Sequence, residues 1–397
     1  MSKLNDYHKQ LYFELFHLTN TNEAFYFIDS IKDSITYRVF TYRLAPYSDF
    51  LLPSALECRG VMFEIYNDLP VRLASLPMSK FFNWKENPFT MNVDFHGVKQ
   101  IMYKMDGSLI STYLHKGEVH FKSKTKLFSD YALAAFDYAL NGALLNHNVS
   151  STSLYDESRV LENAGYTINF EFTSPDYPFR IVVGYPETKL TVLNVRCRET
   201  GEYITASEVQ NLLNEYYGYI SERSIIQHWV ETISICEDEI DSFINSICDM
   251  TGIEGFVIQL HNGQLIKIKT NWYLSLHRVK ECVKYPRRLF ESVLDEIVDD
   301  LRALFYDDPF VLARIDDMEI KTTHIYNSIV NNVELFYAEN VNLSRKDYAI
   351  KAQTVLSHLE FGLAMNMYIG KPVEYKMIIK KNYKQFGITD EELEITE

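Results

Sequence analysis

The chain contains few glycines, prolines and cysteines for its length. It has 15 Gly and 11 Pro in 397 residues, and 47% of its residues are hydrophobic, which excludes a collagen-like or disordered chain and predicts a folded globular protein. The five cysteines are odd in number and widely spaced, and none forms a C-x-x-C pair. This spacing argues against a disulfide framework or a zinc site and predicts buried thiols in a reducing compartment.

An apolar run of membrane-spanning length and a charged-then-apolar leader are also missing. These absences predict a soluble, cytoplasmic protein with no membrane partner. The chain also lacks a net positive charge, because its formal net charge is −15. Proteins that rely on general phosphate attraction usually carry a basic face. If this chain binds nucleic acid, it should therefore use a local basic cleft that engages a particular structured end.

Hydrophobic periodicity predicts mixed α and β structure up to about residue 275. Helices are expected at Asn5–Leu18, from its amphipathic spacing, and at Phe128–Asn146, from Ala and Leu at helical intervals. Apolar alternation predicts strands at Thr36–Tyr42, Gly60–Tyr66, Gln100–Tyr113, Tyr166–Phe172 and Lys189–Arg196.

A β-hairpin at Gly255–Lys269 is the clearest prediction of local structure. Two alternating apolar runs flank His261-Asn262-Gly263, and Asn-Gly is a preferred hairpin turn. Lys267 and Lys269 are two residues apart in the second strand, so both ammonium groups leave the same face. Such a pair either holds an anion or discourages aggregation at a solvated strand edge.

After Trp272 a helical period replaces the alternation and predicts an all-helical domain. Ser344 with Asp347 is expected to begin one helix, and Gly370-Lys371-Pro372 to end it. The boundaries of the two predicted domains are 1–276 and 277–397. The expected helices are Arg288–Phe305, Val311–Tyr337, Ser344–Met367 and Val373–Phe386.

Three short elements, Lys104–Gly107, Glu254-Gly255 and Lys267–Lys269, carry the candidate chemistry. Lys-x-Asp-Gly is the arrangement by which a covalent nucleotidyltransferase places a lysine that attacks the α-phosphate of a nucleotide. Alone, this pattern arises by chance about 0.1 times in a chain of this length, and it is compatible with a surface lysine before a turn. The two later elements, in this order, favour the catalytic interpretation.

A lysine attacks only when it is neutral, and its ordinary pKa of about 10.4 leaves it charged at pH 7. Cations, a metal or desolvation must lower the pKa of Lys104, and Lys80, Lys124, Lys267 and Lys269 are the candidate cations. Phosphate and departing pyrophosphate also need neutralising by lysine, arginine and Mg²⁺.

Glu171 and Glu254 are carboxylates embedded in apolar strands. Each is either a strand-edge carboxylate paired with a basic neighbour or a contact for metal-bound water or ribose. Glu254 precedes a glycine and leads the predicted hairpin, which favours the functional interpretation.

At these residues the chain closely resembles the phage RNA ligase 1 family, the tRNA-repair ligases of T-even-type phages, within the covalent nucleotidyltransferase superfamily. The resemblance covers essentially the whole catalytic part and, more loosely, the helical C-terminus. It implies an α+β fold in which an ATP-grasp-like nucleotidyltransferase domain with antiparallel sheets precedes the helical domain. The matching segments are Thr36–Arg38, Tyr47–Asp49, Leu51–Pro53, Ala55–Gly60, Lys80–Asn83, Glu86–Phe89, Lys104–Leu109, Phe121–Lys124, Asn169–Phe172, Glu199–Tyr203, Glu254-Gly255, Lys267–Lys269 and Trp272–His277.

The resemblance also implies a role for the matching side chains. Lys104 would carry AMP, with Lys267, Lys269 and Glu254 acting beside it in catalysis. The metal would be held by Glu254, Glu171 and Asp299, in part through water, although Asp299-Asp300-Leu301 also suits a solvated helix face. The residues implied to bind ATP are Tyr37, Arg59, Lys80, Asp106, Gly107, Lys124 and Glu171.

The predicted function is therefore an ATP-dependent RNA ligase that joins 5′-phosphate and 3′-hydroxyl ends through lysyl-AMP, with Mg²⁺. The resemblance implies a monomer, in the cytoplasm of the infected host cell, that repairs a tRNA broken in its anticodon loop. The helical domain would dock the tRNA, and its basic run is either a phosphate contact or a solvated helix face. That run consists of Lys376, Lys380, Lys381 and Lys384.

Two rival functions remain. A DNA ligase or an mRNA-capping guanylyltransferase normally carries a β-rich domain after the Lys-x-Lys strand, where this chain shows helical periodicity. A catalytically silent nucleotide- or RNA-binding protein would be expected to have lost the nucleophile or the lysine pair, and Lys104, Lys267 and Lys269 are all present.

Overall fold

The computed structural model describes residues 4–43, 45–141, 153–176, 179–219, 223–296, 298, 301–302, 305 and 309–390. The chain separates into two compact units, Met1–Leu274 and Ser275–Thr396. The first unit holds the sheets, and the described elements of the second are helical. The predicted α+β architecture, with antiparallel sheets followed by a helical region, is confirmed.

Three sheets form the framework of the first unit within the described ranges. Sheet 1, in the order β1-β2-β3-β4, consists of Phe25–Lys32, Ile35–Tyr42, Val61–Tyr66 and Leu69–Ser75. Sheet 2, in the order β11-β10-β9-β7-β8, consists of β7 Ser108–His115, β8 Glu118–Ser123, β9 Tyr166–Thr173, β10 Lys189–Cys197 and β11 Tyr203–Ile204. Sheet 3, in the order β12-β6-β13-β14-β5, consists of β5 Phe82–Asn83, β6 Val98–Lys104, β12 Thr232–Ile233, β13 Gly255–Leu260 and β14 Leu265–Lys269. The strand pairs are antiparallel except β14 with β5.

Helices cover one face of each sheet. Among the helices of the described residues, none combines the length and hydropathy needed to cross a membrane. The helices up to β14 are α1 Asp6–Thr21, α2 Pro88–Met91, α3 Asp130–Asn141, α4 Leu154–Asn163, α5 Ala206–Tyr217, α6 Ser224–Gln227 and α7 Ile240–Ser246. Those that follow are α8 Asn271–Lys284, α9 Pro286–Leu294, α10 Pro309–Asn340, α11 Arg345–Val355, α12 His358–Tyr368 and α13 Tyr375–Lys381.

Separate hydrophobic cores hold these layers together. Helix α1 begins where the Asn5 side chain accepts a hydrogen bond from the N–H of His8 at 2.8 Å, and its apolar face packs on sheet 1. Helices α3, α4 and α5 bury the apolar residues of sheet 2. Helix α7 places Ile240 and Ile244 against Phe256 of sheet 3, so the opposite face of that sheet stays available for a site.

Most predicted elements are confirmed, including the helix at Asn5–Leu18 and the hairpin. The prediction of one strand over Gln100–Tyr113 was wrong, because β6 ends at Lys104 and β7 begins at Ser108 in a different sheet. The predicted helix Phe128–Asn146 is present as α3, and its last residues lie outside the described part of the chain.

The prediction of one helix over Ser344–Met367 was also wrong. Leu356 has an extended backbone (φ −99°, ψ 151°), which ends α11. Ser357 then starts α12, since its side chain accepts from the N–H of Glu360 in a capping box. The predicted cap at Ser344 is confirmed, because its side chain accepts from the N–H of Asp347.

Carboxylates neutralise most of the basic run of the second unit. Lys376 bonds to Glu296 and Lys380 to Asp295, and Lys384 lies 3.1 Å from Asp390. These pairs favour the solvated-face interpretation over a phosphate contact.

Among the described thiols, Cys58 is buried, but Cys236 is exposed, so the prediction of buried cysteines was wrong for Cys236.

Candidate active site

A cleft of about 660 Å³ opens over the free face of sheet 3. Side chains alternate along β6, β13 and β14, so residues two apart line the same cleft. Lys104 and Lys269 lie at one end, Met102 and Val257 in the middle, and polar side chains at the far end. The other walls are formed in part by Arg59, Met78, Phe81, Leu193, Asn194, Tyr203, Ile204 and Trp229.

Asp106 fixes the loop that follows Lys104. Its carboxylate, in a residue that is 4% exposed, accepts hydrogen bonds from the N–H groups of Val182 and Val183 at 2.7 and 2.8 Å. It also accepts one from the hydroxyl of Tyr273 at 2.8 Å. The predicted loop-shaping role of Asp106 agrees with these contacts. Its assignment to ATP binding does not, because its carboxylate is committed to the protein.

Gly107 brings a carboxylate of sheet 2 to the loop. A Cβ at this position would lie 2.2 Å from the carbonyl oxygen of Phe172, so only glycine fits. The Gly107 N–H donates to Oε1 of Glu171 at 3.1 Å. Burial raises the pKa of Glu171 to about 7, and the charge of Glu254 acts in the same direction. A carboxyl group with this pKa can gain or lose a proton near neutral pH.

Glu254 bridges two of the predicted catalytic lysines. Lys104 Nζ donates to its Oε2 at 2.8 Å, and Lys269 Nζ lies 2.9 Å from its Oε1. The carboxylate side chain is only 3% exposed. The next residue, Gly255, has φ +147°, and a Cβ there would lie 2.0 Å from the carbonyl oxygen of Ile268. This close approach of β14 holds Lys269 beside Lys104.

The site also contains a group of cations without acidic partners, which consists of Arg59, Lys80, Lys124 and Lys267. No carboxylate pairs with any of them within the described ranges. Burial, together with the charges of Lys80, Lys104, Lys269 and Arg59, lowers the pKa of Lys267 to about 7. Mutually repelling cations in a chain of net charge −15 indicate a site for a highly charged anion. Arg59 and Lys267 line the cleft together with Lys99, Lys104 and Lys269, so the cleft is locally basic.

The tyrosine of this cation group is Tyr42, and the prediction of Tyr37 was wrong. Tyr37 is fully buried, and its hydroxyl bonds to Nδ1 of His115 at 2.9 Å. The ring of Tyr42 instead has Lys80 Nζ at 5.3 Å and Lys124 Nζ at 5.2 Å from its centroid. The two tyrosines are five residues apart on β2 and so face opposite sides of the sheet. That odd spacing is a signal by which the sequence could have separated them.

The donor set fits a magnesium ion that arrives with a polyphosphate. Within the described ranges no three His, Cys, Asp or Glu side chains come together as a metal cage, and Asp299 lies outside those ranges. Glu171 and Glu254 are carboxylates that lie near Lys104. Mg²⁺ commonly uses one or two carboxylates together with waters and substrate phosphates.

Lys122 is a buried lysine to which sequence reasoning assigned no role. It is 0% exposed, and its Nζ donates to the carbonyl oxygen of Ser123 at 3.1 Å. Burial lowers its pKa to about 7. A Cβ on Gly60 would lie 3.3 Å from its Nζ and 2.5 Å from the carbonyl oxygen of Lys124, so the Lys122 side chain ends next to the residue that follows Arg59.

Replacing Lys122 by methionine is expected to stabilise the protein at pH 7. A buried lysine with a lowered pKa binds fewer protons in the folded than in the unfolded state, so its contribution to stability rises between about pH 7 and the ordinary lysine pKa of about 10.4. In urea unfolding, Lys122→Met should have a larger free energy of unfolding than the wild type at pH 7, and this difference should shrink at pH 9.5. The exposed Lys116→Met serves as the control. An equal difference at both pH values would contradict the expectation.

Comparison with known proteins shows the family. A family model described as "RNA ligase" matches residues 57–274, which is more than half of the chain and includes the strands of sheets 2 and 3. A second model, described as "T4 RNA ligase 1, C-terminal domain", matches residues 280–389. The chain belongs to the T4 RNA ligase 1 family.

Individual relatives are distant in sequence. A Thermovibrio ammonificans protein, named as a presumptive RNA ligase, is 25% identical over 345 residues, covering 84% of this chain and 82% of that one. RNA ligase 1 of Bacteriophage TS2126 is 27% identical over 270 residues, covering 66% of this chain and 61% of that one. Among solved structures, an archaeal ATP-dependent RNA ligase aligns with 13% identity and a TM-score of 0.42 over 76% of each chain.

Proposed function

We propose that this enzyme is an ATP-dependent ligase that joins 5′-phosphate and 3′-hydroxyl RNA ends through AMP carried on Lys104. The observation that carries the proposal is the group of unpaired cations (Arg59, Lys80, Lys124 and Lys267) beside the Lys104–Glu254 pair. A triphosphate supplies the negative charge that this group lacks, and it brings an α-phosphate to the lysine.

The reaction would have three displacements at phosphorus. The neutral amine of Lys104 attacks the α-phosphate of ATP, forming a P–N bond as the bond to pyrophosphate breaks. An oxygen of the RNA 5′-phosphate then attacks the same phosphorus, so the P–N bond breaks and an AMP-capped RNA forms. The RNA 3′-hydroxyl finally attacks the capped 5′-phosphate, which releases AMP. Each step depends on positioning and charge neutralisation more than on a strong base.

The contacts of Lys104 suggest how its amine becomes reactive. In the structure its Nζ donates to Glu254 at 2.8 Å, the arrangement of an ammonium group, so the amine must lose a proton before it attacks. Glu254 is in place to receive that proton. Lys267 and Lys269 would neutralise the α-phosphate, and Arg59, Lys80 and Lys124 the pyrophosphate.

Mg²⁺ would be held by Glu254 and Glu171 together with phosphate oxygens, with Asp299 as a further ligand carried over by resemblance. When bound, the metal neutralises charge on the phosphates. The protein side chains would supply the remaining positive charge and orient the triphosphate for attack by Lys104.

Binding of ATP is expected to take up protons at Lys267. Its pKa is lowered to about 7, so part of the group is neutral at pH 8, and the negative charge of a bound triphosphate would raise that pKa and favour the ammonium form. Calorimetry with a non-hydrolysable ATP analogue in phosphate and in Tris should give different enthalpies, from which up to about one proton per site is calculated. Lys267→Met should remove most of that difference. Equal enthalpies for the wild type in both buffers would rule out this linkage.

We further propose that the natural substrate is a tRNA broken in its anticodon loop, repaired by a monomer in the cytoplasm of an infected host cell. The membership of the T4 RNA ligase 1 family and the phage relative support this proposal. Ligation kinetics on a tRNA nicked in the anticodon loop, compared with an unstructured RNA of equal length, test it. Equal kcat/KM on both substrates would argue for a general end-joining enzyme.

The main experiment follows a radioactive or isotopic label placed on the α-phosphate of the nucleotide. The protein is incubated with labelled ATP or GTP and Mg²⁺, and a 5′-phosphorylated RNA with a 3′-hydroxyl end is then added. Labelling from ATP alone, followed by transfer to RNA and joining, is the expected result. Labelling from GTP would indicate a capping enzyme. A folded, nucleotide-free protein that takes no label from either would favour a silent binding protein.

A further inference from the structure

The far end of the cleft carries two glutamines that the proposed chemistry does not use. Gln100 on β6 and Gln259 on β13 are register partners, and both line the cleft. Both residues are partly exposed, and neither amide has a hydrogen-bond partner in the part of the chain that the structure describes. Two open amides side by side offer donors and acceptors to a ligand that enters the cleft.

The strands of sheet 3 arrange the cleft in three rows. Successive rows are two residues apart along each strand, which is about 7 Å. The first row carries the nucleophile, the second is mostly apolar, and the third holds the glutamines. From the nucleophile outward, the register partners are Lys104, Gly255 and Lys269; Met102, Val257 and Lys267; and Gln100, Gln259 and Leu265.

This order matches the order of groups in a nucleotide. With its α-phosphate at Lys104, a nucleotide that extends along the strands places its base over Met102 and Val257. Leu193 and Trp229 also line the cleft, so a flat ring in it has further apolar side chains to contact. The outer edge of that base then faces the third row.

We propose that Gln100 and Gln259 read the outer edge of the base and select adenine. A glutamine amide can accept a hydrogen bond from the 6-amino group of adenine and donate one to a ring nitrogen. Guanine instead presents acceptors at O6 and N7, which suit lysine or arginine. Lys99 is an exposed residue at the same end of the cleft. Its ammonium group suits the acceptors of guanine, so GTP is the competing nucleotide to test. The inference rests on the proposed function, because it assumes that a nucleotide reacts at Lys104.

The test compares nucleotides that differ by one recognition group. Rates of protein labelling at subsaturating nucleotide are measured with ATP, with GTP and with purine riboside triphosphate, which lacks the 6-amino group. The variants are Gln100→Met and Gln259→Met, which keep side-chain length, and the double variant. Gln10→Ala, on the exposed face of α1, is the control, and thermal unfolding checks that each variant folds.

The wild type is expected to prefer ATP over the purine analogue by about 10-fold to 100-fold, and the double variant to lose most of that preference. Packing damage alone would slow all nucleotides equally and leave the ratio unchanged. An unchanged ratio, or a wild type without preference, would overturn the inference while labelling by ATP still upheld the proposed function. A wild type labelled by none of the nucleotides would instead refute the proposed function itself.

Discussion

Replacing Lys104 by alanine is expected to abolish transfer of AMP to the protein while leaving the fold intact. The side chain lies at the end of β6, is 20% exposed, and makes an ion pair with Glu254. Because the variant has no amine next to the α-phosphate, labelling from ATP should fall by at least about a thousandfold. Mass spectrometry of the intact protein measures the added nucleotide, and circular dichroism verifies folding.

Lys267 is the rival nucleophile, and the structure makes the comparison necessary. Its lowered pKa of about 7 means that it is already partly neutral at pH 7, whereas the amine of Lys104 is engaged with Glu254. We favour Lys104 because the repulsion that lowers the pKa of Lys267 comes partly from cations that a bound triphosphate would neutralise. Lys267 would then be charged at the moment of reaction, as a phosphate contact requires.

Peptide mapping of the labelled wild type separates the two lysines. Label on the peptide that contains Lys104 is expected, with Lys267→Ala slower but still labelled at that position. Lys116→Ala, on the β7–β8 turn, is a control that should behave as the wild type. Label on Lys267, retained in Lys104→Ala, would show that the Lys-x-Asp-Gly loop does not supply the nucleophile.

The sequence could predict the site where the determinants are local. Lys267 and Lys269 are two residues apart in a hairpin, so period-two geometry alone puts them on one face. The contact of Lys104 with Glu254 joins residues 150 positions apart, through the antiparallel pairing of β6 with β13. No local pattern encodes that pairing, and the family resemblance implied only that Lys104 and Glu254 act in the same site.

Two of the errors, those over Gln100–Tyr113 and Tyr37, have the same origin. Gln100–Tyr113 alternates as one strand would, yet Asp106 turns the chain because distant N–H groups, those of Val182 and Val183, satisfy its carboxylate. Tyr37 was assigned to the nucleotide because it lies in a matching segment, although the core around His115 takes its hydroxyl. Contacts with distant elements decided both of these cases, and a linear motif does not report such contacts.

Glu254→Gln is expected to slow labelling from ATP by about 10²–10⁴-fold with little loss of ATP binding. The neutral amide keeps the shape of the carboxylate but cannot receive the proton of Lys104, and it is a weaker metal ligand. It also leaves Lys104 and Lys269, which now contact Oε2 and Oε1 at 2.8 and 2.9 Å, without their counter-charge. The cleft becomes more positive, so the affinity for a triphosphate should be maintained or increased.

If Glu254 has only a structural role, the Glu254→Gln variant should behave differently. Removing one partner of a buried ion pair costs about 3–5 kcal/mol, so thermal unfolding of Glu254→Gln is compared with that of Glu64→Gln. Glu64 pairs with Arg72 at 2.9 Å outside the lining of the cleft, so its variant should lose stability and keep the labelling rate. If Glu254→Gln loses stability to the same degree but labels at the wild-type rate, Glu254 only holds β6 and β14 together. A slow, folded variant that still binds ATP assigns Glu254 to the transfer step, because the defect then lies neither in stability nor in nucleotide binding.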